Sequence, residues 1–196
     1  MKTIKRQCRV LDRFGAVLLP FSQLTSLTWH RAYYSTCVEA ILNGAEAGDQ
    51  PGAQRRHIEH DEFLEATHRF LRQTGADKIL SQYFKSKRLR VNYVRARNPL
   101  RFKGKQTFHR DDLMLKGGRS LIECFFFMSD VTALSGGIEY AKIVSLGRIG
   151  ASPKNINRVH AKRGDLLLIK SQILHRGTTR YSKRSRWILS FQVGTR

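Results

Sequence analysis

Short apolar runs alternate with stretches rich in Gly, Asn, Ser and Lys throughout the second half of the chain. Runs of this length, rich in aromatic and β-branched residues and bounded by turn residues, indicate β-strands. Five segments fit the pattern: 89–97, 120–129, 137–144, 164–170 and 186–193. We therefore predict that the C-terminal part of the chain is built mainly from strands.

The first half carries a different pattern, with apolar residues at helical spacing. A short strand is predicted at 14–20, where Pro20 ends it. The small and turn-forming residues of 44–56 predict a loop. Three helices are predicted: from Phe21 to about Leu42, from the N-cap residue Asp61 to the stop residue Gly75, and from Asp77 to Phe84.

The last predicted strand has the sharpest alternation of apolar and polar positions. Its apolar side should pack against the helices and consists of Trp187, Leu189, Phe191 and Val193. The other side carries Arg186, Ile188, Ser190 and Gln192. This second side either faces solvent or lines a polar cavity, where an Arg would suit a buried carboxylate because its planar fork stays charged.

Helices followed by strands predict an antiparallel β-sandwich with helices packed on one of its faces. With 196 residues the chain is long enough for one hydrophobic core and short for two. We expect a single domain spanning 1–196, with a helical N-terminal part at about 1–85 and a strand-rich core at about 86–196.

The composition excludes several classes of protein. A hydrophobic content of 41% is that of a folded domain. The chain has no apolar run of 18 residues, so no membrane span is predicted, and its basic start lacks the apolar segment of a secretory signal. Cys8, Cys37 and Cys124 are scattered and odd in number. They predict neither a disulfide framework nor a zinc cluster, and we expect a reducing, cytoplasmic location.

The charge is strongly positive, with 36 Lys and Arg against 15 Asp and Glu and a net charge of +21. Such a field attracts anions: nucleic acid, anionic lipid, phosphorylated or CoA-type substrates, and acidic carrier proteins. A solvated basic surface kept for solubility is the alternative. Between Lys85 and Lys105 there is no acidic residue. Cations in that region could ring a site: Arg95, Arg97, Arg101, Lys103 and Lys105.

One constellation carries a specific chemistry. His109 and Asp111 are two residues apart, so on an extended strand they point to the same side, and His175 follows further along the chain. Two imidazoles and one carboxylate form the ligand set of non-haem Fe(II) oxygenases, which leaves positions open for a cosubstrate and dioxygen. His57 and His60 lack the HExxH zinc pattern and are expected to bind no metal.

Three segments resemble the phytanoyl-CoA dioxygenase-like family of Fe(II)- and 2-oxoglutarate-dependent oxygenases. They are FHRDD at 108–112, FFMSDVTALSGGIEY at 126–140 and GDLLLIKSQILHRGTTRYSKRSRWILSFQV at 164–193. The resemblance implies a double-stranded β-helix (jelly-roll, cupin-like) core with N-terminal helices on one sheet. It also implies iron ligation by His109, Asp111 and His175, and a grip of Arg186 on the distal carboxylate of 2-oxoglutarate.

The implied reaction uses Fe(II), 2-oxoglutarate and O2. It would hydroxylate a C–H bond of a small or carrier-borne anionic metabolite and release succinate and CO2. In related halogenases the carboxylate ligand is replaced by a small residue, so Asp111 favours oxidation. Further candidates are Asn92 and Tyr93 for the cosubstrate, together with four candidates for the substrate: Arg95, Arg97, Phe125 and Phe127.

Two alternatives remain open from the sequence. The same chemistry could act on nucleic acid, as in oxidative demethylases, which the basic charge favours. The chain could also be a non-catalytic jelly-roll that binds a partner through its basic surface. After the GG strand the chain reads AKIVSLGRIG, where relatives often have a Pro-Gly-Ser-His turn. This departure leaves the identity of the substrate open, and the sequence gives no oligomeric state.

Overall fold

The structure is a computed structural model, and it describes most of the chain. The described residues are 2–20, 27–43, 45–46, 53–58, 61–99, 101, 105–111, 121–141 and 155–195. Side chains are described in the same ranges except for 2–3, 27–30, 45–46, 53–57 and 62. Of the residues discussed above, Phe21, His60 and Lys103 lie outside the described residues, as does the side chain of His57. Position 120 and positions 142–144, at the ends of two predicted strands, also lie outside them.

The described residues contain four helices. They are α1 (Lys2–Phe14), α2 (Leu27–Asn43), α3 (Asp61–Thr74) and α4 (Ala76–Phe84). The prediction of three helices is confirmed for α2, α3 and α4, with Gly75 at positive φ between the last two. Helix α1 was not predicted, because it is dominated by basic residues, although Cys8 and Leu11 are buried on its inner side. No helix among the described residues has the length and apolarity to cross a membrane.

The strands form two antiparallel sheets. The larger sheet has the order β1-β8-β5-β10-β4-β3-β2, and the smaller has the order β7-β6-β9. The strand bounds are β1 (Ala16–Leu19), β2 (Ala45–Glu46), β3 (Ala53–His57), β4 (Leu89–Pro99), β5 (Ile122–Phe127), β6 (Ile138–Ala141), β7 (Ile156–Arg158), β8 (Leu166–Lys170), β9 (His175–Gly177) and β10 (Ile188–Thr195).

The predicted strands are present, but the loop predicted at 44–56 is wrong in part. Strands β2 and β3 form within it, and β3 pairs with the edge of β4. Local composition did not predict them, because β3 pairs with β4, which lies more than thirty residues further along the chain, and β2 pairs in turn with β3. Strand β7 was also not predicted.

Two hydrophobic cores share the larger sheet. One lies between this sheet and the helices and contains Leu11, Leu80, Phe126, Leu168 and Phe191. The other lies between the two sheets and contains Phe125, Phe127, Ile138, Leu167 and Ile188. Adjacent residues of one strand therefore enter different cores, as the alternation of side chains in a strand requires.

Strand β10 confirms the predicted assignment of its two sides. Leu189, Phe191 and Val193 lie in the core under the helices, and Trp187 packs against it. On the other side Ile188 lies in the core between the sheets. The other members of that side are buried polar residues: Arg186, Ser190 and Gln192. The polar side of this strand therefore faces the interior of the sandwich, not solvent.

Candidate metal and cosubstrate site

The segment 105–111 runs beside β9 and carries two of the three predicted ligands. His109 and His175 exchange backbone hydrogen bonds, with N···O distances of 3.0 and 2.9 Å. The amide of Asp111 donates to the carbonyl oxygen of Ser171 at 3.0 Å. This pairing brings His109 and Asp111 beside His175, although more than sixty residues separate them in the sequence.

The side chains of these three residues converge. One ligand atom from each of His109, Asp111 and His175 lies within 4.8 Å of the others. The Nε2 atom of His175 is 3.3 Å from an Asp111 carboxylate oxygen, and the two imidazole centroids are 4.6 Å apart. Burial lowers the pKa of His175, against the opposing effect of Asp111. A neutral imidazole is the form that ligates a metal.

Backbone carbonyls orient both imidazoles. Nδ1 of His109 is 3.0 Å from the carbonyl oxygen of Thr107, and Nδ1 of His175 is 3.0 Å from that of Ile173. A carbonyl oxygen only accepts hydrogen bonds, so each Nδ1 carries the proton and donates it. The lone pair of each ring is then on Nε2, and this is how metal-binding imidazoles are usually held.

A cavity opens beside the triad, between the two sheets. It has a volume of about 510 Å³, its open mouth included. It is lined by residues of both sheets, among them Arg97, Phe125, Ile138, His175, Arg176 and Arg186. His175 therefore belongs to both the triad and the cavity wall, and Arg186 lines the same cavity.

Arg186 is the most buried of the three arginines that line the cavity, with 2% of its surface exposed. Its Nε donates to the carbonyl oxygen of Ser135 at 2.9 Å, and its amide donates to Oδ1 of Asn98 at 3.0 Å. Both terminal nitrogens of the guanidinium are buried and have no hydrogen-bond partner in the described part of the chain. Burial, Arg180 and Arg97 lower its pKa to about 9, so it stays charged at neutral pH.

A tight turn fixes the carbonyl oxygen that holds Arg186. Gly136 has a φ of 73°, and a Cβ there would lie 2.8 Å from the carbonyl oxygen of Thr178. The amide of Gly137 donates to the hydroxyl of Thr178 at 2.6 Å. The paired glycines of the 126–140 segment therefore allow the backbone before β6 to approach the segment after β9. Sequence analysis missed Ser135, Asn98 and Thr178, since none of them carries a distinctive chemistry by itself.

A β-bulge decides the orientation of the predicted cosubstrate contacts. Asn92 and Tyr93, both on β4, lie opposite the single residue Gln192 of β10. Asn92 Nδ2 donates to Gln192 Oε1 at 3.2 Å, and the Tyr93 hydroxyl donates to Glu123 Oε1 at 2.6 Å. Gln192 Nε2 donates to the same Glu123 oxygen at 2.8 Å. The two residues thus belong to a side-chain network and are not among the residues that line the cavity.

Glu123 is the buried acid of this network, and sequence analysis missed it. Burial, and then the nearby Asp111 carboxylate, raise its pKa to about 7, whereas the hydrogen bonds from Tyr93 and Gln192 oppose the rise. Burial and Glu123 in turn raise the pKa of Tyr93. The position of Glu123 between Ile122 and Cys124 gave a weak signal, since a charged residue inside an apolar strand requires buried partners.

The four predicted substrate contacts divide into two pairs. Arg97 and Phe125 line the cavity, and the Phe125 ring centroid is 6.0 Å from that of His175. Arg95 stacks over the Tyr93 ring at 4.4 Å, and Phe127 is fully buried in the core between the sheets. Neither Arg95 nor Phe127 lines the cavity. Of the predicted outer ring of cations, Arg101 and Lys105 are exposed.

Known structures share this fold across nearly the whole chain. The epimerase SnoN from nogalamycin biosynthesis, described as non-heme and alpha-ketoglutarate-dependent, is 12% identical with a TM-score of 0.76, over 99% of this chain and 84% of SnoN. The carbocyclase SnoK from the same biosynthesis, described in the same terms, is 16% identical with a TM-score of 0.72, over 96% and 83% of the two chains. HygX from Streptomyces hygroscopicus is 10% identical with a TM-score of 0.74, over 97% and 87%.

Some of these structures contain ligands. SnoN has been solved with Fe3+, alpha-ketoglutarate and nogalamycin RO, and HygX with nickel, 2-oxoglutarate and hygromycin B. No family model matches this chain, and no curated protein matches it. The resemblance to phytanoyl-CoA dioxygenases in particular is therefore not supported by these comparisons. The chain has the fold of non-haem iron, 2-oxoglutarate-dependent enzymes, and its His-Asp-His triad is consistent with Fe(II), 2-oxoglutarate and O2 as cofactor and cosubstrates.

Proposed function

We propose that this protein is an Fe(II)- and 2-oxoglutarate-dependent oxygenase that hydroxylates a C–H bond of an anionic metabolite, either free or carried by a larger molecule. In this proposal the two sheets are the halves of a double-stranded β-helix, and residues 1–196 form one catalytic domain. His109, Asp111 and His175 would hold the iron. Arg186 would bind the distal carboxylate of 2-oxoglutarate.

The observation that carries the proposal is that the two terminal nitrogens of the Arg186 guanidinium have no hydrogen-bond partner among the described residues. A buried cation with two unpartnered nitrogens is costly unless an anion completes it. These nitrogens belong to a residue that lines the same cavity as His175. The site therefore requires a molecule that binds a metal at one end and an arginine at the other. A dicarboxylate with a 2-oxo acid at one end does both, because the 2-oxo acid chelates a metal and the other carboxylate pairs bidentately with Arg.

Each residue of the site then has a defined task. Bound iron and 2-oxoglutarate would supply the oxidising power, with succinate and CO2 as coproducts. The chain supplies the rest: Thr107 and Ile173 hold the imidazoles in the ligating tautomer, and Ser135 and Asn98 fix Arg186. The carboxylate of Asp111 would be the third metal ligand, which halogenases lack, and this favours oxidation.

Charge within the cavity supports an anionic substrate. Arg97 and Arg176 line it in addition to Arg186. Arg176 is paired with Glu139 at 2.8 Å, so Arg97 is the cation best placed to meet a phosphate or carboxylate of the substrate. SnoN and HygX have been solved with nogalamycin RO and hygromycin B, which supports a metabolite as substrate. The side chains of Cys8, Cys37 and Cys124 are buried thiols, which agrees with a reducing compartment such as the cytoplasm.

The test is binding of Fe(II) and 2-oxoglutarate in the absence of oxygen. We expect the weak visible charge-transfer absorption of an iron–2-oxoglutarate chelate, and succinate formation once air is admitted. Arg186→Gln should weaken 2-oxoglutarate binding by about 10- to 100-fold, the value of one or two charge-assisted hydrogen bonds. Asp111→Ala should abolish metal binding and succinate formation.

Two nearby exposed cations provide matched controls. Arg110→Ala alters the residue between His109 and Asp111, and Arg184→Gln removes a cation close in sequence to Arg186. Both variants should bind Fe(II) and 2-oxoglutarate as the parent does. Full succinate formation by Asp111→Ala, or unchanged 2-oxoglutarate affinity in Arg186→Gln, would contradict the proposal.

A further inference from the structure

Helix α1 exposes a stripe of cations on one side. Lys5, Arg6, Arg9 and Arg13 are all exposed. At 3.6 residues per turn their directions fall within an arc of roughly 100°. The inner side of the helix holds the buried Cys8 and Leu11, together with the half-buried Ile4 and Val10. We call the four exposed cations the basic face of α1.

Helix α1 contains a single carboxylate against the four cations of the basic face. None of these four residues forms an ion pair within the described part of the chain, and the first turn of α1 has no acidic residue. The one carboxylate of the helix, Asp12, is 3.6 Å from Nζ of Lys170. Cations four residues apart repel each other, and cations near a helix N-terminus oppose its dipole. This arrangement destabilises α1 and is relieved when an anion binds.

The spacing of the cations fits a chain of phosphates. Lys5, Arg9 and Arg13 are four residues apart, and eight residues of helix span about 12 Å. One strand of duplex DNA presents a phosphate about every 3.4 Å along the axis, so about three or four phosphates lie along that length. Arginine predominates in the face, and its planar fork binds phosphate oxygens in pairs.

A membrane surface fits the basic face less well. Helices that lie in a membrane interface insert an apolar side into the lipid. The apolar side of α1 is already buried against the larger sheet and α4. Among the described residues the exposed large hydrophobic side chains are Val38, Leu42, Leu134, Ile156 and Tyr181, and none of them belongs to α1.

We infer that the basic face of α1 is a docking site for the phosphodiester backbone of a nucleic acid. Helix α1 packs against the side of the larger sheet that bears Leu166 and Leu168, whereas the cavity lies on the side that bears Phe125 and Ile188. A nucleic acid on α1 therefore lies away from the triad and is bound as a partner, not as a substrate. The inference does not depend on the proposed oxygenase activity.

The experiment measures binding of the whole protein to a short labelled DNA duplex, and to its RNA counterpart, by fluorescence anisotropy between about 50 and 200 mM salt. The test variant replaces Lys5, Arg6, Arg9 and Arg13 with Gln, which keeps helix propensity close to that of Lys and Arg. The control replaces four exposed cations elsewhere, Lys162, Arg163, Lys183 and Arg184, with Gln. Both variants lose four positive charges and so carry +17 in place of +21.

We expect the test variant to bind at least tenfold more weakly and its slope of log K against log salt to fall by about three, since each phosphate contact contributes about 0.9. The control should keep its slope within about one unit of the parent. Far-ultraviolet circular dichroism checks the fold of both. Succinate formation should be unchanged in the test variant, which separates this result from the proposed oxygenase activity.

Three outcomes would overturn the inference. Equal losses in the two variants would mean that total charge, and not the basic face, drives binding. If the parent does not bind the duplex at the lowest salt, the basic face is not a nucleic-acid site. Vesicles containing anionic lipid provide the third comparison: if they bind more tightly than the duplex, and only the test variant loses this binding, the face is a membrane contact.

Discussion

The two sides of β10 use the same eight-residue backbone for opposite purposes. On the helix side, Leu189, Phe191 and Val193 are fully buried in a continuous apolar core. On the cavity side, Ser190 and Gln192 are just as buried but polar, and Arg186 precedes them on that side. The helix side stabilises the fold because it removes apolar surface from water. The cavity side stabilises it less, because burying polar groups costs free energy.

The difference explains why the polar side needs so many partners. Gln192 and Tyr93 both donate to Glu123, and Asn98 and Ser135 hold Arg186. Buried polar groups are tolerated when each has a partner, and each exception requires a physical explanation. On the cavity side the exceptions include the two terminal nitrogens of Arg186.

The largest effect on stability should come from the helix side. Phe191→Ala removes a fully buried ring, and we expect a loss of about 3–5 kcal/mol in the free energy of unfolding. Urea denaturation measures this loss. Its control is Ser190→Ala, one residue away on the cavity side, which should cost about 1 kcal/mol or less because the Ser190 hydroxyl makes a single long hydrogen bond of 3.4 Å. Equal losses in both variants would contradict the division between the two sides.

A second prediction uses the raised pKa of Glu123. Its carboxyl has a pKa of about 7 in the folded protein against 4.5 ordinarily, so the folded state binds this proton more tightly. Its contribution to stability is complete below about pH 4.5 and is lost as the pH rises through about 7. The free energy of unfolding of metal-free Glu123→Gln, relative to that of the parent, should therefore rise by about 3 kcal/mol between these two pH values.

Denaturation of parent and variant at a series of pH values checks this prediction. The difference in stability between them should rise with pH across that window and be constant above it. Glu65→Gln alters an exposed carboxylate and should give no such trend. If the difference in stability between parent and Glu123→Gln does not change with pH, Glu123 is ionised in the folded protein at acidic pH.

The smallest expected effect distinguishes function from stability at a single residue. Arg186→Met replaces a buried, incompletely partnered cation with an apolar chain, and we expect unfolding stability to be unchanged or up to about 1 kcal/mol higher without ligand. Thermal denaturation without 2-oxoglutarate measures it. A loss of several kcal/mol would mean that Arg186 is needed by the fold itself and would weaken its assignment to a ligand.

Five strands of the larger sheet, β1, β4, β5, β8 and β10, were predicted from the sequence because each is a short run rich in apolar residues and bounded by turn residues. The polar side of β10 was recognised, but the sequence left open whether it faced solvent or a cavity. The orientation of Asn92 and Tyr93 was not predictable, since a bulge places both opposite Gln192 and breaks the alternation. Strands β2 and β3 were missed because β3 depends on pairing with the distant strand β4, and β2 depends in turn on pairing with β3.

The sequence by itself determined the identity of the chemical groups: two imidazoles and a carboxylate at a spacing suited to one metal, an Arg on the polar side of the last strand, and a strongly basic chain. Only the tertiary structure decided which of these groups meet. His109 and Asp111 reach His175 through backbone pairing of distant segments, and Arg186 is left with unpaired nitrogens in the same cavity. Such contacts depend on how separate strands fold onto one another, and local residue patterns do not determine that arrangement.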